Sequence, residues 1–127
     1  LEAVRAIAEK LPVALVTNGI SSVQHGRIDR SPIRPYISAL VISGEQGFQK
    51  PDPRMIFRAL ELLGSIEPGR ALMAGDSLTS DVLAANRAGV DACWYNPSGE
   101  IAPAEYKIRY EIRDIRELPD IALAEKF

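Results

Sequence analysis

Three short polar clusters carry the side chains with the most chemical capacity in this sequence. Thr17-Asn18-Gly19 brings a hydroxyl and an amide, and Lys50, within Gln49-Lys50-Pro51-Asp52-Pro53, brings an ammonium. Gly75-Asp76-Ser77-Leu78-Thr79-Ser80-Asp81 brings two carboxylates on one short segment. Together they fit a magnesium-assisted phosphoryl site. Asp76 and Asp81 are hard oxygen ligands of the kind Mg²⁺ combines with waters and a substrate oxygen. Thr17 and nearby backbone amides would donate to phosphate oxygens, and Lys50 would place a point charge against them. Each cluster alone has a plainer reading. The first is a strand-ending turn, and the second a stiff loop with Asp52 as N-cap and Pro53 at the first helical position. The third is a helix start whose dipole favours Asp81. Their succession after separate strands is what favours chemistry.

The elements that would position these clusters can be read from apolar spacing. Leu1, Val4, Ile7, Ala8 and Leu11 recur at helical intervals until Pro12 stops the ladder. Residues 13–16 form a short continuous apolar run, as expected of a strand buried on both faces. A polar helix is expected over 21–30 and a second strand over 38–43, followed by a long polar loop over 44–53. Ile56, Phe57, Leu60 and Leu63 mark a helix closed by Gly64. Residues 71–74 give a third strand, 79–88 a helix capped by Gly89, 91–95 a fourth strand and 106–112 a weaker fifth. This alternation predicts an α/β fold, a Rossmann-like parallel sheet with flanking helices and right-handed crossovers. In such sheets ligands collect at the carboxyl ends of strands, where all three clusters fall.

Composition narrows the function classes. The chain has 127 residues, 46% of them apolar, and a formal net charge of −2, which suits one domain over 1–127 with a real core. Near-balanced charge without a basic block argues against a nucleic-acid partner. Apolar runs such as Ala39-Leu40-Val41-Ile42 are far short of the roughly 20 residues a membrane span needs. The expected setting is therefore cytoplasmic. Cys93, the single cysteine, excludes a disulfide framework and reads as a buried small apolar residue. His25 reads as a surface histidine, Trp94 as core or rim packing, and Glu45 as a candidate to orient Lys50. Arg109, Arg113 and Arg116, interleaved with acids, read as a solvated mixed-charge face.

Leu-Val-Thr-Asn-Gly (15–19), Gln-Lys-Pro-Asp-Pro (49–53) and Gly-Asp-Ser-Leu-Thr-Ser-Asp (75–81) resemble motifs II, III and IV of the haloacid dehalogenase-like hydrolases. Ile42-Ser43-Gly44-Glu45 and Ala88-Gly89-Val90-Asp91 fit the same pattern, and the resemblance runs from about residue 1 to 118. Cys93-Trp94-Tyr95-Asn96-Pro97 is similar to the branch of pyrimidine 5′-nucleotidases and nucleotide phosphatases. The resemblance implies that Thr17 binds the transferring phosphoryl group and Asn18 helps place its oxygens. It further implies that the catalytic lysine, Lys50, neutralises charge shared with the nucleophile, while Asp76 and Asp81 hold Mg²⁺. The implied substrate is a small phosphomonoester, with nucleoside 5′-monophosphates foremost.

The same resemblance exposes an absence. The family's first motif, Asp-x-Asp, carries the nucleophile that forms an aspartyl-phosphate and the general acid/base. Nowhere in this sequence are two Asp residues two positions apart. The helical cap domain that usually follows this motif is also absent, and the chain corresponds to the C-terminal portion of the core. The resemblance places the missing strand mid-sheet, between the strands carrying Thr17 and Asp76. Three outcomes follow: an unseen or cleaved segment, closure of the two strands on each other, or another chain filling the gap by self-association. The chain alone is expected to be inactive. A non-catalytic phosphate- or metal-binding module is the alternative, with a halide-releasing dehalogenase third.

Overall fold

The computed structural model describes residues 1–124. Five strands form, and every pairing between them is parallel. They are β1 (Ala14–Thr17), β2 (Ala39–Ile42), β3 (Leu72–Gly75), β4 (Asp91–Tyr95) and β5 (Tyr110–Ile112). The helices are α1 (Glu2–Ala8), α2 (Ser21–Asp29), α3 (Ser43–Gln46), α4 (Arg54–Leu62), α5 (Leu83–Ala88) and α6 (Leu118–Ala124). The α/β class expected from the sequence is what forms.

The boundaries follow local chemistry. Asp52 Oδ1 accepts the Arg54 N–H at 2.9 Å and so caps α4 through its side chain, beside a cis Lys50–Pro51 bond. Gly89 ends α5 with φ of 74°, the left-handed geometry that Gly adopts without a Cβ penalty. Other boundaries depart from expectation. Ser43 does not extend β2 but opens the four-residue α3, too short to show a helical period. The helix expected from Thr79 begins as a π-turn over Leu78–Val82, with Val82 N donating to Ser77 O at 3.1 Å. The fifth strand keeps only three residues, and α6 follows a turn that the sequence reading left blank.

The strands divide into two sheets, β1-β2 and β3-β4-β5, and β1 and β3 do not pair. Closure of those strands on each other, one of the three outcomes considered, is therefore not what the fold does. Between them runs an apolar slot of about 490 Å³, bounded by Leu15 and Val16 of β1 and by Leu72 and Met73 of β3. Ile56 and Leu60 of α4 line it, as do Ile7 of α1 and Leu118 of α6.

Burial agrees with this geometry. The strands away from the slot, β2 and β4, are mostly buried, whereas every residue of β1 is only half-buried and Ala74 of β3 is exposed. In a complete parallel sheet the inner strands are the buried ones. Helix α4 spans the divide. Met55 and Ala59 pack with Val41 of β2, while Ile56 and Leu60 pack with Val82 of the π-turn, Ala84 of α5 and Trp94 of β4.

Candidate active site

The carboxyl ends of β1 and β3 bring the predicted clusters to one mouth of the slot. Thr17 is the last residue of β1, paired in register with Ile42. Lys50 lies on the loop before α4, and Asp81 in the π-turn after β3. Lys50 Nζ and Asp81 Oδ1 form an ion pair at 2.5 Å, with about a tenth of each side chain exposed. Asp81 Oδ2 also accepts the Ser77 N–H at 3.2 Å, so the carboxylate is held from two directions. A Cβ built on Gly75 would lie 2.5 Å from Asp81 Cβ and Cγ, so the space Asp81 fills exists because residue 75 has no side chain.

Asn18 makes a contact that the sequence does not reveal. Its Nδ2 donates to Lys50 O at 3.2 Å and its Oδ1 accepts the Lys50 N–H at 2.9 Å. Both polar atoms clasp the lysine backbone, so Asn18 fixes the position of Lys50. Glu45, a candidate to orient Lys50, instead pairs with His25 at 3.2 Å, in an exposed contact between α2 and α3. His25 is thus the surface residue expected.

Asp76 is exposed, and among the described residues its carboxylate makes no hydrogen bond or ion pair. Its backbone is held: Trp94, 2% exposed, donates its indole Nε1 to Asp76 O at 3.0 Å. Trp94 is core packing, as expected, and also ties the carboxylate-bearing loop to β4. Cys93 is fully buried, and that burial pushes its thiol up to about 11, so it takes no part in neutral-pH chemistry.

Three contributors escaped the sequence reading. Gln24 of α2 donates from Nε2 to Asn18 O at 3.0 Å and to Thr17 Oγ1 at 3.3 Å. Ser43 Oγ accepts the Gly19 N–H at 2.8 Å, and Gly44 N donates to Gly19 O at 2.9 Å, so α3 buttresses the loop after β1. A Cβ on Gly44 would stand 2.7 Å from Gly19 O, which is why that contact needs glycine. The Ser43-Gly44 pair was a signal without a role, and nothing in local pattern marks Gln24.

The donor set suits Mg²⁺. Among the described residues no three His, Cys, Asp or Glu side chains converge, but two carboxylates on one turn do occur. A few carboxylates supplemented by water and substrate oxygens is the arrangement Mg²⁺ favours, and Asp76 is free to supply one. No helix among the described residues is long and apolar enough to cross a membrane.

A family profile for haloacid dehalogenase-like hydrolases matches residues 1–89. Escherichia coli pyrimidine 5′-nucleotidase YjjG is 34% identical over 91% of this chain and 52% of its own length. Mouse N-acylneuraminate-9-phosphatase is 32% identical over 89% of this chain and 46% of its own. The crystal structure of the HAD-hydrolase YfnB from Bacillus subtilis, bound to magnesium, superposes with a TM-score of 0.89 at 31% identity. That superposition covers 95% of this chain and 53% of YfnB. The chain spans about half the length of the curated relatives it matches.

Proposed function

The chain belongs to the haloacid dehalogenase-like hydrolase family, and on that premise we propose that it forms the phosphate- and Mg²⁺-binding part of a phosphomonoesterase acting on nucleoside 5′-monophosphates. The observation that carries the reading is the contact between three separate segments, in which Asn18, next to Thr17, clasps the Lys50 backbone and the Lys50 ammonium pairs with Asp81 of the turn after β3. Thr17 donates its hydroxyl to a phosphoryl oxygen, and Lys50, clasped by Asn18, sets its ammonium against the same charge. Asp76, with Asp81, would hold Mg²⁺, which when bound offsets phosphoryl charge and orients the oxygens. Asp81 also keeps the Lys50 ammonium extended towards the mouth of the slot. The nucleotide preference rests on the similarity to YjjG; the sugar-phosphate relative shares only the phosphomonoester.

Attack on phosphorus requires a nucleophile that these 127 residues do not supply as an Asp-x-Asp pair. A strand seated between β1 and β3 would hydrogen-bond to both and end beside Lys50. The test has two arms. Calorimetry of the 127-residue chain with Mg²⁺ and inorganic phosphate should show binding, while p-nitrophenyl phosphate and uridine monophosphate remain unhydrolysed. Adding a short apolar peptide that ends in Asp-x-Asp should then restore turnover. Phosphate binding with no turnover under any complementation would favour a non-catalytic module, and halide release from a 2-haloacid would favour the dehalogenase. Turnover by the unaided chain, abolished in Asp76→Ala, would refute the need for an external nucleophile.

A further inference from the structure

We propose that Gln24 is a positioning residue that orients Thr17 as a hydrogen-bond donor to the phosphoryl group. The orientation of the Gln24 amide is fixed by its neighbours. Asn18 O, 3.0 Å away, can only accept, so the amide nitrogen must face it; the flipped amide would set two oxygens against each other. The second proton of the same Nε2 is then directed at Thr17 Oγ1, 3.3 Å away.

A hydroxyl has one proton and two lone pairs, so a Gln24 N–H on one lone pair turns the Thr17 proton away from Gln24 and leaves it to find an acceptor elsewhere. In the protein, the acceptor for that proton is Asn18 O at 3.3 Å, a long contact to a carbonyl that Gln24 already occupies at 3.0 Å. A phosphoryl oxygen, anionic and acceptor-only, competes for the proton on better terms, because charge-assisted bonds are shorter and stronger than neutral ones. Asn18 is held in place by its two contacts to the Lys50 backbone, which leaves one Nδ2 proton beside the Thr17 hydroxyl as a second donor.

Gly19 completes the arrangement. A Cβ there would meet Gln24 Nε2 at 2.5 Å and Cγ at 2.9 Å, so the missing side chain at residue 19 is the space through which Gln24 reaches. Gln24 thus polarises Thr17 from behind without entering the site.

The proposal rests on the phosphate-site reading, and the experiment separates the two. Inorganic phosphate affinity is measured by calorimetry, with Mg²⁺ present, on the 127-residue chain and on Gln24→Met, Thr17→Val and the double variant. Methionine keeps the length of the side chain and removes both donated protons without adding charge. Gln24→Met should weaken phosphate binding about fivefold, the worth of one neutral hydrogen bond. In the Thr17→Val background it should have no further effect. Equal weakening in both backgrounds would show a merely structural role and overturn the proposal, as would undiminished binding by Gln24→Met. Failure of the unsubstituted chain to bind phosphate would instead bring down the site reading itself. Thermal midpoints of all four proteins show whether any change reflects unfolding. The Gln24 side-chain amide resonances should shift in Thr17→Val, and their constancy would also overturn the proposal.

Discussion

The Lys50–Asp81 pair is the most consequential contact at the scale of single residues. Both side chains are about nine-tenths buried, so each charge depends on the other to offset its desolvation. Removing one partner costs more than the pair contributes, because it leaves an uncompensated buried charge. Asp81→Ala should destabilise the protein by about 3 kcal/mol, read as a shift in the urea midpoint with unchanged slope. The double variant Lys50→Met/Asp81→Ala should recover part of that loss, and a purely additive double variant would show that the two charges do not interact. Gly75→Ala acts on the same pair from below. The new Cβ would overlap Asp81 Cβ and Cγ, which are not the flexible end of a long side chain. Overpacking of this kind costs about 1–3 kcal/mol, and the displaced carboxylate should lower Mg²⁺ affinity as well. A Gly75→Ala protein with unaltered Mg²⁺ titration would show that Asp81 can move without consequence for metal binding.

Among the elements, what was legible from sequence had its cause within a few residues. The apolar runs became β1 to β4 within one residue at each end, and Gly89 capped its helix, because strand burial and left-handed backbone are local demands. The same holds for Asp52, whose carboxylate reaches only two residues along to Arg54. Misplaced elements were those whose cause lies elsewhere in the chain. Helix α3 is held by bonds from Ser43 and Gly44 to Gly19, which lies far earlier in the chain. The clasp of Asn18 on the Lys50 backbone was not legible, because its partner lies thirty-two residues away and no local pattern reveals it. Helix α6, left blank, is the exception, because the 3-10 turn Ile115–Glu117 that leads into it begins from a local reciprocal cap. Asp114 Oδ1 accepts the Arg116 N–H at 2.9 Å, and Glu117 Oε2 accepts the Asp114 N–H at 3.0 Å. The Arg116 guanidinium and backbone N–H hold the Asp114 carboxyl down at about 2, below its ordinary 3.8. A lowered folded value means that Asp114 contributes stability above about pH 4, and that the contribution fades as pH falls towards 2. Asp114→Asn should remove that part of the acid sensitivity, seen as a shallower loss of stability over this window. An identical acid-unfolding profile would show that the cap adds nothing to the fold.

At the scale of the whole molecule, the inverted burial of the strands carries the argument. β4 is flanked on both sides, by β3 and β5, and its middle residues are buried. β1 and β3 each have one neighbour and face each other across the apolar slot, with a row of backbone donors and acceptors on each unpaired edge. Edges of this kind are templates for an added strand, and helices above and below already supply the apolar surfaces such a strand would need. Native hydrogen exchange should therefore divide the molecule. Amides within β4, bonded on both sides, should exchange slowest, while slot-facing amides of β1 and β3 should exchange fast despite lying in mid-fold. An apolar peptide of five or six residues ending in Asp-x-Asp should slow the β1 and β3 amides and leave those of β5 unchanged, because β5 borders no part of the gap. Sedimentation across a concentration series then separates peptide insertion from pairing between copies. If copies fill each other's slots, β1 and β3 protection should rise with protein concentration alone, and peptide should reverse the association. Uniformly slow exchange in β1 and β3 at low concentration, with no peptide effect, would show that the two edges are already satisfied, and the slot would no longer explain the exposure of Ala74.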